Sequence, residues 1–334
     1  MLSWTMNATG RHNLALQESE LPQPGPFEVR VKVNAVALNY RDKLIIEGHL
    51  PAVFPLIPAS DMAGVIDSVG ERVSRFRPGD RVISSFSPQW VDGKRPGNAR
   101  DGADAALGGA FPGVLSQYRL FNEAGLVSAP ASLTDAEAST LPCAGLTAWF
   151  ALVEEGKMRA GDTVLVQGTG GVALFALQIA KAQGAKVYIT SGSDDKLARA
   201  RALGADVGVN RLNGDWAQQV LKLTNNQGID HVIDTVGGHN VAKSVTAVAP
   251  QGRVSLIGVL EGADVTAPAG MLLLKSALIQ GIGVGHRRAL EDFVRAVDAT
   301  MLKPVIDSTY PFEALSDAMD RLDSGPFGKI VVTL

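Results

Sequence analysis

Cysteine is almost absent from this sequence: Cys143 is the only one among 334 residues. A single thiol excludes an internal disulfide framework and any zinc site built from several cysteines. Histidine is also scarce, and the five histidines show no paired spacing of the kind that metal ligands adopt: His12, His49, His231, His239 and His286. Because a catalytic zinc needs three protein donors within tetrahedral reach, we expect no metal site in this protein.

The sequence also lacks a strong excess of charge and any long hydrophobic run. Lys and Arg number 31 and Asp and Glu number 34, which gives a formal net charge of −3. This balance provides no basic surface for nucleic acid or for an anionic membrane. No apolar run is long enough to span a membrane, and the opening "MLSWTMNATGRHN" lacks the basic start and apolar core of a signal peptide. We therefore expect a cytoplasmic protein that acts on a small molecule, without a nucleic-acid or membrane partner.

The chain is longer than one hydrophobic core usually serves, so two domains are expected. The first 120 or so residues are rich in β-strand patterns. In "EVRVKVNAV" (28–36) valines alternate with polar residues, which predicts a half-buried strand. "AGVIDSVG" (63–70) and "GDRVISSF" (79–86) are further short strands. Residues 88–112 form a long connection, which we interpret either as a solvated surface loop or as a lid or wall beside a site.

From residue 133 the pattern changes to alternating helices and strands. The first segment, around Pro142, is helical in character. The predicted strands are 163–167, 186–190, 207–210, 231–236, 253–259 and 277–285, and the helices between them are 172–184, 194–204, 215–224 and 239–249. This alternation predicts an α/β fold with a doubly wound, six-stranded parallel sheet. The chain ends with a helix over 288–301 and a strand in "FGKIVVTL", whose sheet the pattern does not identify.

A glycine-rich turn, "QGTGGVA" (167–173), joins the first of these strands to its helix. Gly168, Gly170 and Ala173 fit the pattern G-x-G-x-x-G/A in the context where that pattern has a mechanism. The glycines allow close approach of a pyrophosphate, and the N–H groups at the positive end of the helix receive its charge. The turn predicts a bound dinucleotide, with contacts from Gly168, Gly170, Gly171 and Val172.

The end of the second strand, "YITSGSDDK" (188–196), bears on the choice of dinucleotide. Ser191 stands where an NAD site carries an acidic residue that accepts the ribose hydroxyl. Ser191, Ser193, Lys196 and Arg211 could instead hold a 2′-phosphate through hydroxyl donors and cations. The alternative interpretation is a helix cap with ordinary surface cations. The sequence favours NADP(H) over NAD(H).

Five stretches resemble the medium-chain dehydrogenase/reductase superfamily: "NAVALNYRD" (34–42), "RFRPGDRV" (75–82), "LPCAGLTAW" (141–149), "VLVQGTGG" (164–171) and "LARARALGAD" (197–206). The resemblance covers the whole chain. It implies a GroES-like, β-rich catalytic domain made of residues 1–125 and 288–334, and a Rossmann dinucleotide-binding domain made of residues 126–287, with the nicotinamide in the cleft. It also implies a homodimer, because two sheet edges commonly join in this superfamily and the edge strand 276–285 is apolar.

The sequence departs from the zinc-dependent members of that superfamily. They carry a cysteine where this chain has Asn39 and a G-H-E segment where it has Ala59, Ser60 and Asp61, and Cys143 is interpreted as a small buried hydrophobe. The zinc-free quinone oxidoreductase and enone or enoyl reductase branch is the better match. The resemblance therefore implies NADPH-dependent reduction of a quinone or an α,β-unsaturated carbonyl. Two alternatives remain: a zinc-independent alcohol or aldehyde oxidoreductase, and an NADP(H)-binding sensor or structural protein without turnover.

The resemblance places "NYRD" beside the nicotinamide. Asn39 would donate a hydrogen bond, Tyr40 would donate or relay a proton, and Arg41 would offset negative charge. The alternative for Asn39 and Asp42 is turn chemistry at the end of a strand, and Tyr40 could instead be a packing residue. The other cofactor contacts that the resemblance implies are Thr147, Gly258, Val259, Ile282, Val284, Phe327 and Lys329. Arg287 either faces the cleft or is an exposed arginine at the start of a helix.

Overall fold

The structure is a computed structural model that describes residues 1–99 and 105–334. The central part of the predicted long connection, residues 88–112, therefore lies outside the described residues. No helix in the described ranges combines the length and the apolar character that crossing a membrane requires.

The chain forms two compact units. One consists of Met1–Leu146 together with Gly285–Leu334, and the other consists of Thr147–Val284. The first change of unit thus comes later in the chain than the domain limit that the resemblance implied, and the second comes slightly earlier.

The N-terminal part of the first unit is mostly β-structure. Its elements are β1 (Leu2–Thr5), β2 (Ala15–Glu18), β3 (Glu28–Leu38), α1 (Tyr40–Ile46), β4 (Asp61–Val69), β5 (Arg81–Ser84), β6 (Tyr118–Asn122), β7 (Leu126–Ser128) and α2 (Asp135–Ala138). In β3 the side chains of Val29, Val31 and Val33 are buried and that of Lys32 is exposed. The half-buried strand predicted from the valine alternation is therefore confirmed.

The second unit is built on a parallel sheet with helices between its strands. After α3 (Leu146–Trp149), its strands are β8 (Thr163–Gln167), β9 (Lys186–Ser191), β10 (Val207–Asn210), β11 (Ile229–Asp234), β12 (Val248–Leu256) and β13 (Leu278–Gly281). Its helices are α4 (Gly171–Ala182), α5 (Asp194–Ala202), α6 (Trp216–Leu223), α7 (Asn240–Ala247) and α8 (Ala269–Lys275). The strand order is β10-β9-β8-β11-β12-β13, which is the doubly wound order of dinucleotide-binding folds. The predicted six-stranded parallel sheet is confirmed.

The chain then returns to the first unit through α9 (Arg287–Thr300), β14 (Ile306–Pro311), α10 (Leu315–Asp323) and β15 (Lys329–Thr333). The sheet there has the order β14-β15-β3-β4-β5-β7, with β6 also paired to β3. β15 runs antiparallel to β3, with Ile330 opposite Leu38. The C-terminal strand, which the sequence could not assign to a sheet, thus lies beside the strand that leads into "NYRD".

Several predicted limits need correction. The strand expected over 277–285 ends at Gly281, because two glycines and the left-handed backbone of Val284 (φ 65°) follow it. The segment around Pro142 is not one continuous α-helix: wider π-type turns over Leu141–Gly145 and Phe150–Glu154 flank the short α3. α1 was not expected as a helix, since "NYRD" has the composition of a turn.

Candidate active site

The residues of "NYRD" lie where β3 ends and α1 begins. Asn39 has an extended backbone and caps the helix. Its N–H donates to Asp42 Oδ2 at 2.8 Å, and the N–H of Asp42 donates to the carbonyl oxygen of Asn39 at 3.0 Å. The local capping role considered for Asn39 and Asp42 is therefore present, and it uses the backbone of Asn39 rather than its amide side chain.

The amide side chain of Asn39 contacts the C-terminal strand. The pairing of β15 with β3 places Lys329 next to the end of β3. Lys329 Nζ donates to Asn39 Oδ1 at 2.5 Å and to the carbonyl oxygen of Leu38 at 2.6 Å. Both residues are buried, with 4% of Lys329 and 8% of Asn39 exposed. Lys329, for which the resemblance implied a cofactor contact, thus bonds directly to a predicted catalytic residue.

A second carboxylate, Asp61, completes this cluster from the start of β4. Its Oδ1 accepts from Ser60 Oγ at 2.6 Å, and its Oδ2 accepts from the N–H of Cys143 at 3.0 Å. Burial raises the pKa of Asp61, although the charge of Lys329, the hydrogen bonds from Ser60 and Cys143 and the nearby amide of Asn39 oppose the rise. The effect of burial thus outweighs that of the nearby ammonium and donors, and Asp61 binds a proton more tightly than a free carboxyl group does.

Burial also raises the pKa values of two neighbouring groups, Asp42 and Cys143. It raises the pKa of Asp42 to about 6, against the opposing charge of Arg41. It raises the pKa of the Cys143 thiol as well, with a further contribution from the charge of Asp61. Cys143 is consequently a protonated thiol at neutral pH, as an unreactive side chain would be, but it is half-buried rather than fully buried as predicted.

Arg41 and Tyr40 have contrasting surroundings. Arg41 Nη1 donates to the carbonyl oxygen of Leu107 at 3.0 Å and lies 3.3 Å from Asp42 Oδ1, and the guanidinium stacks 4.8 Å from the centre of the Phe86 ring. Tyr40, by contrast, is 45% exposed. Its hydroxyl has no hydrogen-bond partner in the part of the chain that the structure describes. Arg41 is thus held by its own unit through Nη1, but its buried Nη2 has no hydrogen-bond partner among the described residues, whereas Tyr40 is exposed.

The C-terminal arm of the long connection packs against this cluster. One contact is the hydrogen bond from Arg41 to the carbonyl oxygen of Leu107. The other is the close approach of the Gly113 backbone to Ala59: a Cβ atom on residue 113 would lie 2.1 Å from the carbonyl oxygen of Ala59. This arm is therefore a fixed wall next to "NYRD" and next to the Ala59–Asp61 segment. The solvated-loop interpretation does not describe this arm, but it does fit residues 91–99, which are exposed.

The glycine turn lies in the second unit, between β8 and α4. Gly168 has a left-handed backbone (φ 81°), which glycine alone adopts without strain, and Gly170 caps α4. A Cβ built on Gly170 would meet no atom within 4 Å. The space beside Gly170 is therefore open next to the unpaired N–H groups at the start of α4, which include those of Gly171 and Val172, and it fits a pyrophosphate.

A buried polar network, which was not expected from the sequence, supports the turn. Asp234 at the end of β11 accepts from Ser244 Oγ at 2.7 Å and from the N–H of Gly237 at 2.9 Å. Asn240 Nδ2 donates to Gln167 Oε1 at 2.6 Å, which links α7 to the end of β8. The signal that could have revealed it is the polar segment "DTVGGHN" at the carboxyl end of a parallel strand.

The four residues predicted to hold a 2′-phosphate come together at the end of β9. Ser193 N–H donates to Ser191 Oγ at 3.2 Å, and Ser193 Oγ accepts from the N–H of Lys196 at 3.3 Å as the cap of α5. The backbone N–H of Arg211 donates to the carbonyl oxygen of Ser191 at 2.9 Å, and the Arg211 guanidinium lies against Gly192. The predicted helix cap is therefore present, and the Arg211 guanidinium lies beside the same turn.

The remaining predicted contacts fall in both units. In the second unit, Gly258 follows β12 and packs against Thr235 so closely that any Cβ would overlap the Thr235 oxygen. Thr147, Ile282 and Val284 are buried there, and Val259 is half-exposed. In the first unit, the N–H of Phe327 donates to Asp307 Oδ1 at 2.9 Å, and Arg287 Nη1 donates to the carbonyl oxygen of Ala124 at 3.0 Å.

The side chains around Asn39 do not suit zinc. No group of three or more His, Cys, Asp or Glu side chains within residues 1–99 and 105–334 could hold a metal ion. At the positions where zinc-dependent members carry ligands, Asn39 Oδ1 accepts from an ammonium and Ser60 Oγ donates to Asp61. A zinc ion next to Lys329 would face like charge without the donors that it needs.

Comparisons with known proteins identify the family. Residues 25–131 match the model of the alcohol dehydrogenase GroES-like domain, and residues 171–299 match that of the zinc-binding dehydrogenases. The chain is 39% identical to a zinc-type alcohol dehydrogenase-like protein of Schizosaccharomyces pombe, covering 98% of this chain and 96% of the relative. It is 31% identical to an acryloyl-coenzyme A reductase of Metallosphaera sedula (95% and 96%) and 28% identical to human quinone oxidoreductase (94% and 91%).

Among solved structures, a putative alcohol dehydrogenase of Sinorhizobium meliloti is 57% identical, with a TM-score of 0.97 over 100% of this chain and 98% of that one. The match covers the residues of both units. The chain belongs to the medium-chain dehydrogenase/reductase superfamily of NAD(P)H-dependent oxidoreductases, with a Rossmann and a GroES-like fold.

Proposed function

We propose that this protein is an NADPH-dependent, zinc-independent oxidoreductase that transfers a hydride to a quinone or to an α,β-unsaturated carbonyl compound, either an enone or an enoyl thioester. The observation that carries the proposal is the buried cluster around Asn39. It holds Asn39 and Ser60 at positions where a zinc-dependent member carries metal ligands, and the Lys329 ammonium bonds to Asn39. The site is therefore suited to hydrogen bonding with an oxygen rather than to Lewis-acid catalysis.

A conjugated acceptor fits such a site on chemical grounds. When bound, a reduced nicotinamide supplies a hydride, which brings two electrons to a carbon of the acceptor. Negative charge then moves to the acceptor oxygen, where a fixed hydrogen-bond donor stabilises it. Asn39 Nδ2 is such a donor. A proton from the Tyr40 hydroxyl or from water completes the reduced product, and the exposure of Tyr40 allows either route.

The preference for NADPH is supported by the group at the end of β9. Ser191 and Ser193 provide hydroxyls, and Lys196 and Arg211 provide positive charge near the same backbone turn. A phosphate dianion is recognised by this combination of donors and cations. An acidic side chain at the position of Ser191, which would repel a 2′-phosphate, is absent from this sequence.

The substrates named for two relatives belong to the classes of acceptor that we propose. Human quinone oxidoreductase and the Metallosphaera acryloyl-coenzyme A reductase act, as their names state, on a quinone and on a conjugated thioester. The alcohol dehydrogenase names among the similar structures favour a second candidate, a zinc-independent alcohol or aldehyde oxidoreductase. A third candidate is an NADP(H)-binding sensor or structural protein, because the same fold can bind the dinucleotide without turnover.

The test is a panel of quinones, enones, enoyl thioesters, aldehydes and primary alcohols, assayed with NADPH, NADH and their oxidised forms. We expect NADPH oxidation with quinones or conjugated carbonyls and little oxidation of simple alcohols. Efficient oxidation of a primary alcohol, with every enone and quinone ignored, would establish the second candidate. Tight binding of NADPH without turnover of any compound would favour the third.

Independence from zinc is tested separately by elemental analysis and chelation. Because the ligand positions hold Asn39 and Ser60, we expect purified protein to contain far less than one zinc per chain and to keep its activity after treatment with a chelator. About one tightly held zinc per chain, with activity lost on its removal, would contradict this part of the proposal.

A further inference from the structure

The orientation of the Asn39 amide is determined by Lys329. An ammonium group has three N–H donors and no acceptor, so the amide atom that faces Lys329 Nζ at 2.5 Å must be the oxygen Oδ1. The nitrogen Nδ2 consequently points away from Lys329. Most asparagine amides can turn over to exchange these two atoms, but at Asn39 the turned amide would place two donors face to face.

The nitrogen of this amide has an incomplete environment. Asn39 Nδ2 is buried and has no hydrogen-bond partner among the described residues. The Asn39 amide is close enough to lower the pKa of the Asp61 carboxyl group, but Nδ2 donates no hydrogen bond to it. A buried donor without a partner is energetically unfavourable, and such groups are rare unless a ligand or water completes them.

Lys329 itself is held firmly in this position. It donates to the carbonyl oxygen of Leu38 as well as to Asn39, and it lies in the charge field of Asp61. Its backbone belongs to β15, which pairs with both β3 and β14. The ammonium therefore sits on a rigid strand in the interior of the sheet.

We propose that Lys329 is a positioning residue for catalysis, which fixes the Asn39 amide so that Nδ2, and not Oδ1, is presented to the oxygen of the acceptor. This inference rests on the proposed function for the identity of the acceptor oxygen. Lys329 acts through Asn39 and does not itself touch the acceptor. If the amide turned over, its oxygen would face the developing negative charge and repel it.

The first experiment examines the orientation of the amide in the protein without cofactor or substrate. The side-chain amide signal of Asn39 is observed by NMR in ¹⁵N-labelled protein and assigned by its loss in Asn39→Ala. We expect Lys329→Met to shift this signal and to speed its hydrogen exchange by about tenfold or more, because loss of a hydrogen bond worth 1.4 kcal/mol or more changes an opening equilibrium by that factor. Lys275→Met is the matched control, since Lys275 also donates only to oxygen atoms, at the end of α7 in the other unit.

The second experiment measures hydride transfer in single turnovers with NADPH and the best acceptor, beside the dissociation constant of NADPH. Removing one oxyanion donor costs about 10²-fold or more in rate, so we expect such a loss for Asn39→Ala and a loss of at least tenfold for Lys329→Met. The double variant should be no slower than Asn39→Ala alone, because the two residues act as one unit. The dissociation constant of NADPH should stay within about threefold in all three.

Two further variants keep the test decisive. Lys329→Arg retains the charge and donor character, and it should recover part of the lost rate. If Lys329→Met does not fold, Lys329→Gln takes its place, because a neutral amide no longer imposes one orientation on Asn39.

An unchanged Asn39 signal in the lysine variant would overturn the inference, and so would additive rate losses in the double variant. Weaker NADPH binding with an unchanged rate at saturation would show instead that Lys329 contacts the cofactor. A wild-type protein that reduces no acceptor would refute the proposed function, whereas the NMR result would still report on the amide.

Discussion

Lys196 is the side chain whose charge bears most directly on the choice between the two dinucleotides. Its N–H donates to Ser193 Oγ, and its ammonium is predicted to act with Arg211 on a 2′-phosphate. If that group holds a 2′-phosphate, loss of a charge-assisted contact costs about 1.5–3 kcal/mol, so Lys196→Ala should weaken NADPH binding roughly tenfold or more. Binding of NADH should barely change. Fluorescence titration with both cofactors measures this.

The control for that substitution is Lys222→Ala, on the exposed surface of α6 in the same unit. It should leave both affinities unchanged. Equal losses for NADPH and NADH in Lys196→Ala would mean that the lysine only supports the start of α5.

At the scale of single residues, the sequence identified Asn39 and the glycines but not what they contact. Gly168 and Gly170 are close in sequence and follow a strand, so a local sequence pattern is enough to predict that they bind a dinucleotide. The bond between Lys329 and Asn39 joins residues 290 positions apart, and that between Cys143 and Asp61 joins residues 82 apart. Such contacts depend on which strands become neighbours, and no local pattern specifies this.

At the scale of elements, the turn between β8 and α4 can be tested without disturbing the fold. Gly170 has an extended backbone (φ −81°, ψ −173°), and a Cβ there meets no atom within 4 Å. Gly170→Val should therefore leave the melting temperature nearly unchanged while it obstructs the pyrophosphate. We expect NADPH affinity to fall by at least about tenfold, as for loss of contacts to a charged group.

Gly270→Val, in α8, is the matched control, because its Cβ would also enter open space. It should change neither the melting temperature strongly nor NADPH binding. Normal NADPH affinity in Gly170→Val would show that the dinucleotide does not approach this turn.

The start of α1 predicts an effect of pH on stability. Burial raises the pKa of Asp42 to about 6, above the value of 3.8 for a free carboxyl group. The folded protein thus binds this proton more tightly than the unfolded chain does. The stabilisation is complete below the unfolded pKa and is lost as pH rises through about 6, to the extent of about 2–3 kcal/mol.

Asp42→Asn removes this titration and keeps an acceptor for the Asn39 N–H. The unfolding free energy of the variant, measured in urea from pH 4 to pH 7, should fall less with rising pH than that of the wild type. Parallel curves for the two proteins would show that Asp42 does not titrate in this range.

The elements themselves were predictable to different degrees. The alternation of strands and helices after residue 160 is a strong local signal in the sequence, and the six parallel strands that it predicts are all present in the structure. α1 was missed because Asn39 and Asp42 favour turns and helix caps equally, and only the hydrophobic contacts of Ile45 and Ile46 with the core decide between them. The observed limits of β12 and β13 differ from the predicted ones, because pairing with neighbouring strands, not composition, determines where a strand stops.

At the scale of the whole molecule, the exposed apolar edge of the second unit is a candidate interface between subunits. β13 is the last strand of its sheet, and beside it α8 carries Leu273 and Leu274, which are 79% and 89% exposed. An apolar edge next to exposed leucines is a typical contact surface between subunits. A two-fold axis along this edge would let the strand of one protomer meet the same strand of its partner.

We therefore expect a homodimer joined through residues 276–285, with twice the chain mass of 35.1 kDa. Leu278→Lys, at the sheet edge, should shift the protein towards monomer, because a charge there opposes strand pairing. Leu212→Lys is the control, since Leu212 is also an exposed leucine of this unit but lies after β10, at the opposite edge of the sheet. Light scattering across the micromolar range measures the mass, and a wild-type monomer throughout that range, or equal dissociation by both lysine variants, would contradict the assignment of this interface.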